Sequence, residues 1–127
     1  MHSDQFLYDY PLLDIVLTKN SKELKVTCII DTGSPYTLIP IYYLNNLNID
    51  ESDQFTKLTI HGVIHKEECS VEVPGYAIDL SIGNISFEKC TVFCYEFLQK
   101  YGLIGHNILS QCNLFIDWNK KKIIIDK

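Results

Sequence analysis

The chain has 127 residues, 46% of them hydrophobic and 21% charged, with a formal net charge of −5. That length suits a single domain, expected over residues 1–127, burying roughly two-thirds of its unfolded surface. The acidic balance argues against a nucleic-acid partner, whose binders carry a basic face, and no apolar run approaches the ~18 residues that cross a membrane.

Met1-His2-Ser3-Asp4 lacks a basic region, and Asp9 and Asp14 interrupt the apolar residues that follow, so no secretory signal is expected. Residues 12–18 and 23–30 read as two strands joined by the polar turn Lys19-Asn20-Ser21-Lys22. Residues 31–35 form a loop, 36–39 a short strand, and 41–47 one or two helical turns with Leu44 and Leu47 on one face. The stretch 45–53 is polar and expected to be exposed. Strands over 57–64 and 67–73 face each other across His65-Lys66, and Pro74-Gly75 breaks the pattern. Residues 76–82, the turn Gly83-Asn84 and residues 85–87 make a hairpin. A further strand is expected over 90–97, a short helix over 107–112, and a last hairpin from 114–118 and 121–125 over Asn119-Lys120. The run Lys120-Lys121-Lys122 reads as a solvated turn. Many short strands with one late helix indicate an all-β chain, a small closed β-barrel with one short C-terminal helix.

The five cysteines (Cys28, Cys69, Cys90, Cys94 and Cys112) are an odd number, and Cys28 and Cys112 lie in apolar contexts. Free thiols in a reducing compartment is the simplest reading, hence a cytoplasmic location, in which the sequon Asn84-Ile85-Ser86 carries no sugar.

The chemistry concentrates at Asp31-Thr32-Gly33-Ser34, which follows the apolar run Val26-Thr27-Cys28-Ile29-Ile30 and leads into Tyr36-Thr37-Leu38-Ile39-Pro40. This arrangement delivers a carboxylate at the end of a buried strand, on a turn tight enough to need glycine. Thr32 and Ser34 supply hydroxyls that can orient it. A second landmark is Gly102-Leu103-Ile104-Gly105-His106-Asn107-Ile108-Leu109. Together, in this order, the two segments resemble the active-site loop and the closing glycine-then-helix segment of the retropepsin-like aspartic proteases. The resemblance runs roughly from Lys22 to Asp126.

Peptide hydrolysis by such enzymes needs two carboxylates sharing one proton and one water. Only Asp31 precedes a Thr-Gly or Ser-Gly pair in this chain. The resemblance therefore implies a homodimer with twofold symmetry, Asp31 of each subunit meeting at the axis, and a peptide or protein as substrate. It implies that Asp31, Thr32 and Gly33 form the catalytic loop, with Thr32 linking the two subunits' loops and the Gly33 backbone binding substrate. It places Ser34 among the substrate-binding residues and makes Ile29, Tyr36, Tyr101, Leu103 and Ile104 candidate walls of the substrate pockets, although for Ile29 and Ile104 plain core packing is the favoured reading of an apolar residue. A Ser34 hydroxyl donated to the ionised form would lower the pair's pKa, so Ser34→Ala is expected to move the pH optimum upward.

Residues 58–65, including His61, Gly62 and Val63, fit the family's flap hairpin, although His65-Lys66-Glu67-Glu68 is bulkier than the glycine-rich tips of retroviral flaps. The ion pair of retroviral enzymes is absent: its two places hold Pro35 or Tyr36, and His106. The terminal hairpin extends beyond the retroviral end point, as in cellular and bacterial members, and Ile123, Ile124 and Ile125 are expected in the dimer interface.

Three other readings compete. His61, His65 and Cys69 repeat every fourth residue, as do Cys90 and Cys94, a spacing that puts strand side chains on one face. No Cys-x-x-Cys accompanies them, and neither a metal nor any cofactor is expected. No cysteine is locally marked as a nucleophile. A catalytically weak or inactive dimerisation or peptide-binding module is the non-enzymatic alternative.

Overall fold

The computed structural model describes residues 1–64, 67–96, 98 and 100–127. The chain opens with two short strands, β1 (His2–Ser3) and β2 (Phe6–Leu7), followed by the long β3 (Tyr10–Lys19) and β4 (Lys22–Ile30). Asn20 and Ser21 both take positive φ, of 53° and 61°. That conformation makes the two-residue turn whose twist matches a β-hairpin, and it sets the register from Lys19 opposite Lys22 to Leu12 opposite Ile29. Alternation then does the rest. Leu13, Ile15 and Leu17 on β3, with Val26, Cys28 and Ile30 on β4, all enter one core.

β5 (Thr37–Pro40) leads to a one-turn helix, α1 (Tyr43–Asn46), and a 3-10 turn (Glu51–Asp53) closed by a reciprocal cap between Asp50 and Asp53. β6 (Thr56–Ile64), β7 (Glu67–Ile82) and β8 (Ile85–Tyr95) form a meander. After it come β9 (Gly102–Ile104), the helical turn α2 (His106–Leu109), β10 (Asn113–Asp117) and β11 (Lys122–Asp126).

The main sheet runs β2-β3-β4-β9-β5-β8-β7-β6, and an added β3–β7 pairing joins its two sides. Six strands thereby close into a ring, β3-β4-β9-β5-β8-β7, with β2 and β6 as flanking edges. This is the small closed all-β barrel expected from the strand pattern. A separate three-stranded sheet, β1-β11-β10, lies beside it. Its Ile123 and Ile125 enter the barrel's own core.

The structure corrects several details. Pro74-Gly75 does not end a strand: β7 runs through it, pairing with β6 up to Gly75 and with β8 from Gly75 onward. Glycine is required there because a Cβ would stand 2.7 Å from Thr56 Cγ2 and 2.8 Å from Phe93 Cε1. Likewise Glu88-Lys89 is no gap between strands. β8 continues through a register shift opposite Ile78 and Leu80, and the Lys89 N–H donates to Asp79 Oδ1 at 2.8 Å. Ile123 and Ile125 were expected at a subunit interface, yet both are completely buried within the protomer, leaving only Ile124 partly exposed. The late helix is shorter than expected, closing at Leu109. Among the described residues no helix is long and apolar enough to cross a membrane.

Candidate active site

β9 is inserted between β4 and β5, parallel to the first (Ile30 beside Ile104) and antiparallel to the second (Leu38 beside Leu103). The loop from Asp31 to Tyr36 must therefore arch over the end of β9 to pass from one neighbour to the other. β9 begins at a glycine, Gly102, and is followed by another, Gly105, both for steric reasons. A Cβ on Gly102 would sit 2.8 Å from Cys28 Sγ and 2.9 Å from the Leu38 carbonyl oxygen. On Gly105 it would sit 2.0 Å from the Tyr36 carbonyl oxygen, a distance no side chain tolerates.

Backbone hydrogen bonds fasten the arch. The Asp31 N–H donates to the Ile104 carbonyl at 3.0 Å, His106 N–H to Ser34 O at 2.7 Å, and Asn107 N–H to Pro35 O at 3.2 Å. Beneath it lies a polar network that the sequence reading did not single out. The completely buried Thr37 hydroxyl accepts from the Gly105 N–H at 3.2 Å and donates to Asn107 Oδ1 at 2.8 Å. Asn107 Nδ2 in turn donates to the Thr91 carbonyl at 3.1 Å. A buried hydroxyl with both roles satisfied holds its neighbours in one geometry. The available signals were a threonine opening the apolar run Thr37-Leu38-Ile39-Pro40 and an amide two residues past Gly105.

At the crown, Asp31 is half-exposed, and its Oδ1 accepts the Gly33 N–H at 3.1 Å while its carbonyl accepts the Ser34 N–H at 3.2 Å. Thr32 and Gly33 are exposed on the outside of the arch. Ser34 behaves otherwise than expected. Its hydroxyl donates to the Tyr36 carbonyl at 2.7 Å and accepts the Tyr36 N–H at 3.3 Å, so its single proton is committed within the loop and not to Asp31.

Tyr36 lies edge-on to Phe93, with ring centroids 5.1 Å apart at 72°. Phe93 belongs to a second, smaller apolar cluster with Leu38 and Val73, on which Leu58, Ile60, Val71, Leu98 and Leu103 pack half-buried. This cluster ties the arch to the root of the β6–β7 hairpin. Leu103, a candidate pocket wall by the resemblance, packs half-buried on this cluster. Phe93, Leu58 and Val71 are added to it by the fold. Tyr101 is half-buried with Lys100 Nζ 5.2 Å from its ring centre. His61 is exposed on the edge strand β6, opposite Ser70. For Gly62 and Val63 the backbone pairs with Cys69 and Glu68, and their side-chain environments lie outside what is described.

The competing chemistries fare unevenly. Burial pushes the Cys28 and Cys94 thiols up to about 12, and the Cys90 and Cys112 thiols are also raised by burial, so none of these four is an activated nucleophile. Of the spaced trio His61, His65 and Cys69, His65 lies outside the described residues. Among the described residues no three metal-ligating side chains gather.

No family model matches the chain, and no curated protein matches it in sequence. Among solved structures, a retropepsin-like aspartic protease from Rickettsia conorii superposes with a TM-score of 0.67, covering 99% of this chain and 97% of that one at 14% identity. The chain therefore has the retropepsin-like fold.

Proposed function

We propose that this protein is an aspartic-type endopeptidase whose active unit is a homodimer, each subunit supplying one Asp31. The observation that carries the reading is the arch itself: a half-exposed carboxylate at the crown of a loop fixed by β9, with Thr32 and Gly33 facing outward. In this reading one Asp31 is ionised and deprotonates a water, while the other, protonated, polarises the scissile carbonyl. Like charges ~3 Å apart resist double ionisation, which is what keeps one proton on the pair. Thr32 and Gly33 complete the loop contacts between subunits and to substrate. Ser34 acts indirectly, by bracing Tyr36. Tyr36, Leu103 and the half-buried apolar residues between the arch and the β6–β7 hairpin line the side-chain pockets for a peptide, with His61, Gly62 and Val63 on that hairpin above them. Four free thiols among the described residues support a reducing, cytoplasmic setting.

A mixed peptide library incubated with wild type and Asp31→Asn tests the chemistry. The wild type is expected to cut and the variant to lose at least ~100-fold in rate, since a reaction built on two carboxylates cannot proceed with amides. Equal, near-zero cleavage by both would make the protein a peptide-binding or dimerisation module instead. Light scattering over a dilution series tests the assembly, with cleavage falling as dimer dissociates.

A further inference from the structure

A cleft of about 760 Å³ opens on the segment that follows β5, and none of its lining residues belongs to the Asp31 loop. Buried Ile49 and Tyr76 are among its lining residues, with Pro74 and the exposed Ile41 and Tyr42. Asp50 and Glu51 line it as well, and Asp53 follows on the same 3-10 turn. The cleft therefore joins aliphatic and aromatic surface to carboxylates.

Among the described residues no cationic side chain pairs with these carboxylates. Asp50 accepts from the backbone and hydroxyl of Ser52 and from the Asp53 N–H, and Asp53 accepts from the Asp50 N–H, all uncharged donors. The ion pairs among the described residues, Lys57 with Glu72 and Lys121 with Asp9, involve neither them nor Glu51. Their field reaches into the cleft, because Tyr76 is held above its ordinary value first by burial and then by the nearby Cys94 and by Glu51, Asp53 and Asp50. A ligand that suits both features has a long apolar stem and a cationic end. Lysine and arginine have that form, laying methylenes along apolar surface while the charge seeks carboxylates and aromatic faces.

We propose that this cleft is a docking site for a lysine- or arginine-bearing segment of an extended polypeptide, separate from the bond-cleaving centre. Pro74 belongs to the stretch where β7 passes from β6 to β8, so an occupant rests at the root of the hairpin that borders the Asp31 loop. That the segment comes from a protein substrate rests on the protease reading; the chemistry of the ligand does not.

The test reads binding without turnover. Amide spectra of the Asp31→Asn protein are titrated with a blocked pentapeptide carrying one lysine and one arginine among alanine and leucine, and with its twin carrying glutamates instead. The basic peptide is expected to move the amides of Ile41, Tyr42, Gln54 and Tyr76. Glu51→Lys, at an exposed position outside the fold's core, should weaken it by ~fivefold or more while leaving the spectrum folded. Raising salt from about 50 to about 300 mM should weaken it further. The proposal is overturned if the basic peptide moves none of these amides, if the glutamate twin binds as well, or if Glu51→Lys binds as tightly as its parent. Shifts confined to the Asp31 loop, or shifts of these same cleft amides that follow protein concentration without peptide and so name a second copy as occupant, overturn it equally. Loss of catalysis in the wild type would sink the protease reading and leave this result standing.

Discussion

Thr37→Val removes one oxygen from the interior and changes almost nothing in shape. The structure sets the cost. The hydroxyl is completely buried, accepts the Gly105 N–H at 3.2 Å and donates to Asn107 at 2.8 Å. Without it the buried Gly105 N–H has no partner, at about 1–3 kcal/mol, and Asn107 loses a bond worth ~1 kcal/mol net. A loss of about 2–4 kcal/mol is expected, a large share of the stability of a chain this size. At an ordinary slope the urea midpoint falls by ~1–2 M with the slope unchanged, measured at one fixed protein concentration so that any dimer linkage is constant. Thr37→Ser, which keeps the hydroxyl and deletes a methyl, should lose only ~1 kcal/mol. If Thr37→Val unfolds within ~0.5 kcal/mol of wild type, or if the serine variant is the worse of the two, the network does not hold the arch and the argument fails.

Ser34→Ala is expected to leave the pH–rate profile in place and to lower stability by ~1 kcal/mol, because its proton goes to the Tyr36 carbonyl; a displaced profile would show that the hydroxyl reaches Asp31 in the working assembly. Burial alone would raise Asp14, but the Thr27 hydroxyl at 2.6 Å, the Gln5 amide at 3.0 Å and the charge of Lys25 together hold it below the usual carboxylate range. A depressed native value stabilises the fold above the unfolded carboxylate pKa near 3.8 and loses that contribution as acid protonates the folded state, so the urea-midpoint gap between wild type and Asp14→Asn should shrink from pH 6 to pH 3. With Cys28 and Cys94 pushed up to about 12 by burial, both should resist iodoacetamide in the native protein and react promptly in denaturant, as located by peptide mass spectrometry; rapid native labelling of either would contradict the packing.

The barrel was legible in the sequence because its signals are local. Alternation along residues 12–30, Asn20-Ser21 between two strands, and Gly83-Asn84 between two more each act within a few residues. The Asp31 loop and the Gly102–Gly105 segment were also legible, as motifs. Why both ends of that segment are glycine was not, because the reason is a strand from late in the chain sliding between two early ones. The same limit explains Pro74-Gly75. Read locally it ends a strand; in the fold it marks a change of partner. Thr37 and Asn107 stand 70 residues apart, and no pattern in the chain couples them. Ile123 and Ile125 looked suited to an interface because the terminal hairpin suggested one, yet their own barrel covers them first.

One strand, β7, belongs to two neighbourhoods. From Gly75 onward it is a stave of the closed ring, whereas before Gly75 it is laddered to β6 alone. The β6–β7 hairpin thus joins the ring's hydrogen-bond ladder at Gly75 and is otherwise held at its root by Leu58, Ile60, Val71 and Val73 packing with Phe93 and Leu38. Under the protease reading proposed above, sequence change along that hairpin would alter what is held beside Asp31 while the ring's own strand pairings stay as they are.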